Sequence, residues 1–145
     1  MKKSIVILMS VLSISLFAQT DKGQKKTIER NLSSFNAIEA GESFSLEVKN
    51  GNTSTLLIEV TEGYEGYVKS DVEGAVLKIS SDKRMKQPKH LKLTITSPEI
   101  TSVELFGAAE MKSIDTLRAE NLEVKLSGAA NANLILTVQN LKTEI

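Results

Sequence analysis

Val103-Glu-Leu-Phe-Gly-Ala-Ala109 and Val124-Lys-Leu-Ser-Gly-Ala-Ala130 are two copies of one block, with Gly107 and Gly128 lying 21 residues apart. Repetition at roughly 20–29 residues marks stacked units, each too small to bury an apolar face alone. Each copy alternates apolar and polar residues and then turns at glycine, the pattern of a half-buried strand entering a sharp corner. Parallel stacking at about 4.8 Å puts identical positions above one another. Val103 then sits on Val124 and Leu105 on Leu126, as apolar columns inside. Outside, Glu104, Lys125 and Glu144 form a column of alternating charge, each opposite pair contributing about 0.2–1 kcal/mol. Gly107, Ala108, Ala109 and Gly128, Ala129, Ala130 are the structural corners, small enough for successive turns to approach closely.

The match extends from Ile114, Thr116 and Leu117 to Ile135, Thr137 and Val138. Asn121-Leu122 recurs as Asn140-Leu141, 19 residues on, so a third unit starts two residues early. In that register Leu122, Val124 and Leu126 correspond to Leu141, Thr143 and Ile145. The strand edge and inner column there are expected to lie uncovered. An N-terminal strand folds over them, a partner pairs with them, or the chain is a truncated form of a longer domain.

Upstream, the apolar segments keep the period of two that argues for strands. Phe35 and Ile38 open a first strand, and Phe44, Leu46 and Val48 share one face of the next. Asn50-Gly51 before Leu56, Ile58 and Val60 predicts an antiparallel hairpin. A second hairpin is expected to turn at Glu73-Gly74, between Tyr67–Ser70 and Ala75–Ser80. Asp82 to His90 reads as a charged loop. Leu91, Leu93 and Ile95 alternate up to a corner at Ser97-Pro98, where proline removes a ladder donor. The predicted fold class is all-β, with antiparallel hairpins in the N-terminal half and parallel β-helix or solenoid-like rungs in the C-terminal half.

The 145-residue chain opens with Lys2, Lys3, the largely apolar run Ser4 to Phe17, and a small residue at Ala18. That is the layout of a cleaved signal peptide, and the run is shorter than the roughly 20 residues a spanning helix needs. The expected organisation is a signal peptide over 1–18, a flexible leader over 19–27 and one domain over 28–145. Export to the periplasm, cell surface or medium follows, with no membrane span in the mature chain. The chain has no cysteine, which excludes disulfides, thiolate metal sites and a lipid-modified N-terminal cysteine. Losing Lys2 and Lys3 tips the balance of 18 basic and 18 acidic residues to the acidic side, which is no footprint for nucleic acid.

Arg30-Asn-Leu-Ser-Ser-Phe-Asn-Ala-Ile38, the strand Phe44 to Val48 and Leu126-Ser-Gly-Ala129 together resemble the head GIN domain family. That family is described as the head of auto-transporter adhesins and is common among exported Bacteroidetes proteins. The resemblance covers about Ile28 to Ile145. It implies a right-handed β-solenoid-like fold, an exported location and adhesion, and it supplies no catalytic residues. Phe106 departs from it, standing where serine is expected in the first copy.

The candidate binding residues are Lys83, Arg84, Lys86 and Lys89, a basic cluster able to attract anionic glycans, headgroups or acidic partners, with Tyr64 and Tyr67 as stacking faces for sugar rings. No catalytic residue, metal site or cofactor is expected. His90, the single histidine, reads as solvated, since ligands spaced for a metal are missing. Ser127 lacks the nucleophile elbow and reads as a corner serine. Asp71 with Glu73 and Asp115 with Glu120 would need the separation of a glycosidase pair, and read as solvated. Asn131 and Asn133 read as structural. The expected function is a non-enzymatic envelope or surface module that binds, with envelope glycans or another chain at the C-terminal edge as partners. The alternatives are an assembly module pairing through that edge and a carbohydrate-active β-helix enzyme.

Overall fold

The computed structural model describes residues 23–145, so the expected signal peptide lies outside the described residues. Twelve strands run in order: β1 (Lys25–Asn31), β2 (Ala37–Ala40), β3 (Ser45–Asn50), β4 (Thr55–Thr61), β5 (Val68–Glu73), β6 (Val76–Ser81), β7 (Leu91–Ser97), β8 (Ser102–Leu105), β9 (Glu110–Ser113), β10 (Leu117–Leu126), β11 (Asn131–Asn133) and β12 (Leu136–Glu144). They form two six-stranded mixed sheets, ordered β1-β4-β7-β3-β9-β11 and β12-β10-β8-β2-β6-β5. The all-β expectation holds. Strand β1 opens at Lys25, so Lys25, Lys26 and Thr27, at the end of the stretch read as leader, already pair with β4. An edge strand tolerates those charged residues because one side of it faces water.

The doubled block stacks as its sequence demands. Strands β8 and β10 pair in parallel with Val103 opposite Val124, Glu104 opposite Lys125 and Leu105 opposite Leu126. Strand β12 adds Thr143 opposite Val124 and Glu144 opposite Lys125. The alternation then sends Val103, Leu105 and Val124 into the core and the charged residues outward. The 19-residue register begins earlier than the match of Leu117 with Val138 suggests, because Leu117 lies opposite Leu136. The two extra residues of the first copy sit in the bend at 114–116. Asn50 holds that bend, donating its backbone N–H to Asp115 Oδ1 at 3.3 Å and its side-chain amide to the Thr116 carbonyl at 3.2 Å.

The hairpin expected at Asn50-Gly51 does not form. Strand β3 pairs in parallel with β7 and β9, while β4 pairs antiparallel with β1 and β7, so β7 separates the two. Gly51 is not among the glycines with positive φ. It instead donates to the Ser97 carbonyl at 3.1 Å and leaves room for Thr96, whose methyl carbon would lie 2.5 Å from an added Cβ. Glycine here serves a close crossing rather than a tight reversal. The second hairpin does form: β5 and β6 pair antiparallel around Gly74 (φ 57) and Ala75 (φ 61), the two left-handed residues of a type I′ reversal.

One core lies between the sheets, built from Phe35, Ile38, Phe44, Leu46, Val48, Leu56, Ile58, Leu77, Leu93, Ile95, Val103 and Leu105 among others. Ser97 is fully buried and donates its hydroxyl to the Phe35 carbonyl at 2.9 Å, which satisfies both polar groups at the Ser97-Pro98 corner.

Candidate functional site

The corners form a continuous column of three levels. Gly107 and Gly128 have φ of 69° and 70°, and Ala129 donates its N–H to the Gly107 carbonyl at 2.7 Å. Below them stands a corner that the repeat does not announce. Ile38 and Ala40 lie opposite Val103 and Leu105, which aligns Glu42 with Gly107. Glu42 has φ of 62°, and its carbonyl accepts the Ala108 N–H at 2.6 Å. A carboxylate-bearing residue therefore adopts the left-handed turn that glycine fills in the other two levels. Counting back from Leu105 to Ala40 is the only signal that could have found it.

Phe106, the departure from the serine pattern, has its reason here. A Cβ on Gly41 would come within 1.9 Å of the Phe106 ring, so the ring lies over the bare glycine of the level below. It remains 40% exposed.

The Glu42 side chain ties the charged loop to this corner. It accepts from the Ser81 hydroxyl and backbone N–H and from Lys83, whose ammonium lies 2.6 Å away. Burial pushes its carboxyl upward, but the Lys83 and Ser81 hydrogen bonds outweigh this and hold it below the usual range. Asp82 is buried and grips Arg84 through both carboxylate oxygens, at 3.0 and 2.7 Å, which holds it far below the usual carboxylate range. Two of the four cations in the expected basic cluster, Lys83 and Arg84, are thus paired to local carboxylates. Lys86 and Lys89 are exposed.

The tyrosines separate as well. Tyr67 is only 8% exposed and packs in the core, so its ring is closed to a sugar. Tyr64 is half-buried and lines a surface cavity of about 310 Å³ with Gln24, Thr61, Glu62 and Lys89. Of the six residues, the fold brings together Tyr64 and Lys89. His90 is half-buried rather than solvated: its backbone exchanges hydrogen bonds with Thr61.

Other polar residues stack in rows on the outer faces. On the first sheet, Glu47 pairs with Lys112 at 2.9 Å and Lys92 at 3.2 Å. Burial raises its carboxyl, yet the two ammonium groups win and lower it overall. Asn133 lies opposite Lys112, and Asn131 opposite Glu110, so both asparagines continue these rows. On the second sheet, Asp71, Lys78, Glu39, Glu104, Lys125 and Glu144 occupy one register across all six strands. Glu123 and Lys142 pair at 2.7 Å, and Asn140 donates to Asn121 at 3.0 Å. Asp71 and Glu73 fall in separate exposed rows, and Asp115 is engaged by Asn50.

At the opposite end from β11 and β12, a residue of the Arg30–Ile38 segment closes the fold. Arg30 donates to the Val68 carbonyl at 2.8 Å and the Ser70 hydroxyl at 2.9 Å, which joins edge strand β1 to edge strand β5. Lys26 and Glu65 pair beside it at 2.9 Å. Burial holds the Arg30 guanidinium below its ordinary value.

No curated protein matches this chain. Among solved structures, the fold is similar to a putative adhesin from Bacteroides fragilis (22% identity, TM-score 0.66) that covers 83% of this chain and is itself covered over 55%. A putative lipid binding protein from Parabacteroides distasonis is similar at 21% identity and TM-score 0.70, over 83% of this chain and 54% of that one. A putative adhesin from Parabacteroides merdae is similar at 19% identity and TM-score 0.66, over 84% and 59%. At such identities the likeness is one of fold, and the chain spans a little over half the length of each neighbour. A family model described as "Putative auto-transporter adhesin, head GIN domain" matches residues 34–145, most of the chain and both copies of the corner block. The chain belongs to the head GIN domain family.

Proposed function

We propose that this protein is a non-catalytic, exported envelope or surface module that binds its ligand in the manner of an adhesin. The observation that carries the reading is family membership over residues 34–145. The stacked outer rows agree with it, since they present regularly spaced charges and amides on broad sheet faces. The basic opening followed by an apolar run supports export, and no helix among the described residues is long and apolar enough to cross a membrane. The binding surface is assigned to the cavity shared by Tyr64 and Lys89, with exposed Lys86 on the same loop, where a ring face and cations meet an anionic glycan. The 21-residue parallel register supports a solenoid-like stacking as the wider architecture.

Binding of the full chain to an array of glycans and envelope components tests this. An anionic glycan should be retained, and Tyr64→Ala and Lys89→Ala should each weaken it at unchanged melting temperature. Binding that survives both substitutions would move the site elsewhere.

A second reading, assembly through the β12 edge, is favoured by one observation. Leu141 is 51% exposed although its register partner Leu122 is buried.

A further inference from the structure

We propose that the cavity beside the Glu42 corner takes the acetamido group of an N-acetylated sugar, in the same glycan whose charge Lys89 meets. The inference rests on the glycan reading above and names the sugar class. The cavity holds about 70 Å³ and is lined by Glu42, Ser43, Phe44, Tyr67, Gln87 and Leu91. At roughly 30 Å³ per water it has room for about two waters, too little for a sugar ring. Phe44 and Tyr67 are buried, and Leu91 packs against the same core, so one side of the cavity is apolar and fixed. Tyr67 is too covered to stack on a ring but still offers a wall to a methyl group. Glu42, Ser43 and Gln87 make the other side polar. Such a lining accepts a small group with a methyl face, one donor and one acceptor, and an acetamido group has that make-up.

The polar side also selects by charge. A carboxylate has about four lone-pair sites. On Glu42, the Ser81 hydroxyl, the Ser81 N–H and the Lys83 ammonium take three of them. The remaining site can accept an acetamido N–H, and the Gln87 amide can donate to the acetamido carbonyl. Glu42 repels a carboxylate or sulfate group. An ammonium group meets Lys83, 2.6 Å from the same carboxylate, so the cavity favours a neutral group. Glu42 holds a left-handed backbone (φ 62°) where the other two levels use glycine. Backbone strain of this kind clusters at ligand sites, and here it sets a carboxylate in the cavity wall. The two cavities are neighbours. Gln87 and Leu91 line this one, and Lys89, between them in the chain, lines the one with Tyr64. Two residues of chain span at most about 7 Å, and Tyr67 donates its N–H to the Tyr64 carbonyl at 2.9 Å. A sugar seated over Gln87 therefore adjoins a charged sugar over Lys89.

Titration calorimetry of the full chain with hyaluronan oligosaccharides, which alternate a carboxylated sugar with a 2-acetamido sugar, tests this. The acyl group is varied at constant charge, from N-acetyl to N-butanoyl. Polygalacturonate fragments supply carboxylates without an acetamido group, and an acetyl-lysine peptide supplies the acetamido group without a sugar. The N-acetyl form should bind about tenfold or more tightly than either the N-butanoyl form or polygalacturonate. Gln87→Ala, at an exposed position, should remove most of that preference, and Ser43→Phe, which fills the cavity from its exposed rim, should abolish it. Both should leave polygalacturonate binding and the melting temperature unchanged. If Ser43→Phe melts earlier, Gln87→Ala and the acyl series decide. Equal binding of all three glycans, still weakened by Tyr64→Ala and Lys89→Ala, overturns the acetamido site and leaves the glycan reading standing. An N-acetyl preference that survives Gln87→Ala and Ser43→Phe overturns its placement in this cavity. A peptide bound as tightly as the N-acetyl glycan overturns the sugar as its source. Failure of every glycan to bind sinks this inference and the glycan reading together.

Discussion

The two ends of the sandwich are built from the same alternating strands and finished in opposite ways. At the β1/β5 end, Arg30 and the Lys26–Glu65 pair span the sheets, and Ile28 packs against the core. At the β11/β12 end, the inner column that begins with buried Leu77, Ile38 and Val103 runs on through Val124 to exposed Thr143. A position's burial is therefore set by whether another level lies over it, more than by its residue type. Leu122 and Leu141 lie opposite one another in adjacent levels, at 2% and 51% exposure.

The largest test of that contrast is a pair of truncations. Leu105→Ala opens a cavity in a closed core and should cost about 3 kcal/mol, against less than about 1 kcal/mol for Leu141→Ala, read from urea unfolding midpoints. Equal costs would break the comparison, since they would mean that Leu141 is covered in solution. The corner glycines sharpen it. Gly107→Ala adds a left-handed residue whose Cβ would meet the Glu42 backbone at 3.0 Å, with Gly128 packed above it. It should cost about 2 kcal/mol, and Gly128→Ala about 1 kcal/mol because its level can shift toward open solvent. If the order reverses, the outer level is as firmly held as the inner one.

At the closed end, Arg30→Met keeps the apolar stem and removes the hydrogen bonds to Val68 and Ser70. Since the guanidinium is only partly buried, the loss should be about 1–2 kcal/mol. Amide exchange should rise in β1 and β5 and not in β12. A change spread over the whole molecule would show that the clasp is not local to its end.

What the sequence disclosed divides along the same line. The repeated block was legible because identical residues in successive levels occupy identical environments, so columns Val103–Val124 and Leu105–Leu126 could be read directly. The β5–β6 hairpin was legible because Gly74 sits at a true reversal. Asn50-Gly51 carried the same local signal and misled, because the contacts that decide it lie in β7 and β9, distant in sequence. The Glu42 corner was hidden by its residue type: its left-handed backbone is held by the Ala108 N–H and by Ser81 and Lys83 around its carboxylate. For the candidate site, the cluster Lys83, Arg84, Lys86 and Lys89 was visible as charge. The carboxylates that consume half of it, Glu42 and Asp82, were not, because one arrives from another corner and the other turns back on Arg84.

The smallest effect separates the ends by pH and salt. Glu42 and Glu47, on the inner levels, are held below their ordinary value of about 4.5 by nearby ammonium groups, and Glu123 at the open end is lowered by Lys142. In each case the unfolded chain binds more protons than the folded one across the shifted range, so stability rises with pH there. The contribution is complete above the ordinary value and is lost as pH falls through the lowered one. Glu47→Gln should therefore reduce stability at neutral pH and flatten its decline below about pH 4.5. Glu47 keeps only 13% of its side chain in water, whereas Glu123 keeps 33%. Raising salt to about 1 M should erase the difference between Glu123→Gln and the parent chain and leave most of the Glu47→Gln difference in place. Equal sensitivity of the two to salt would mean that water reaches the Glu47 row as freely as it reaches the open end.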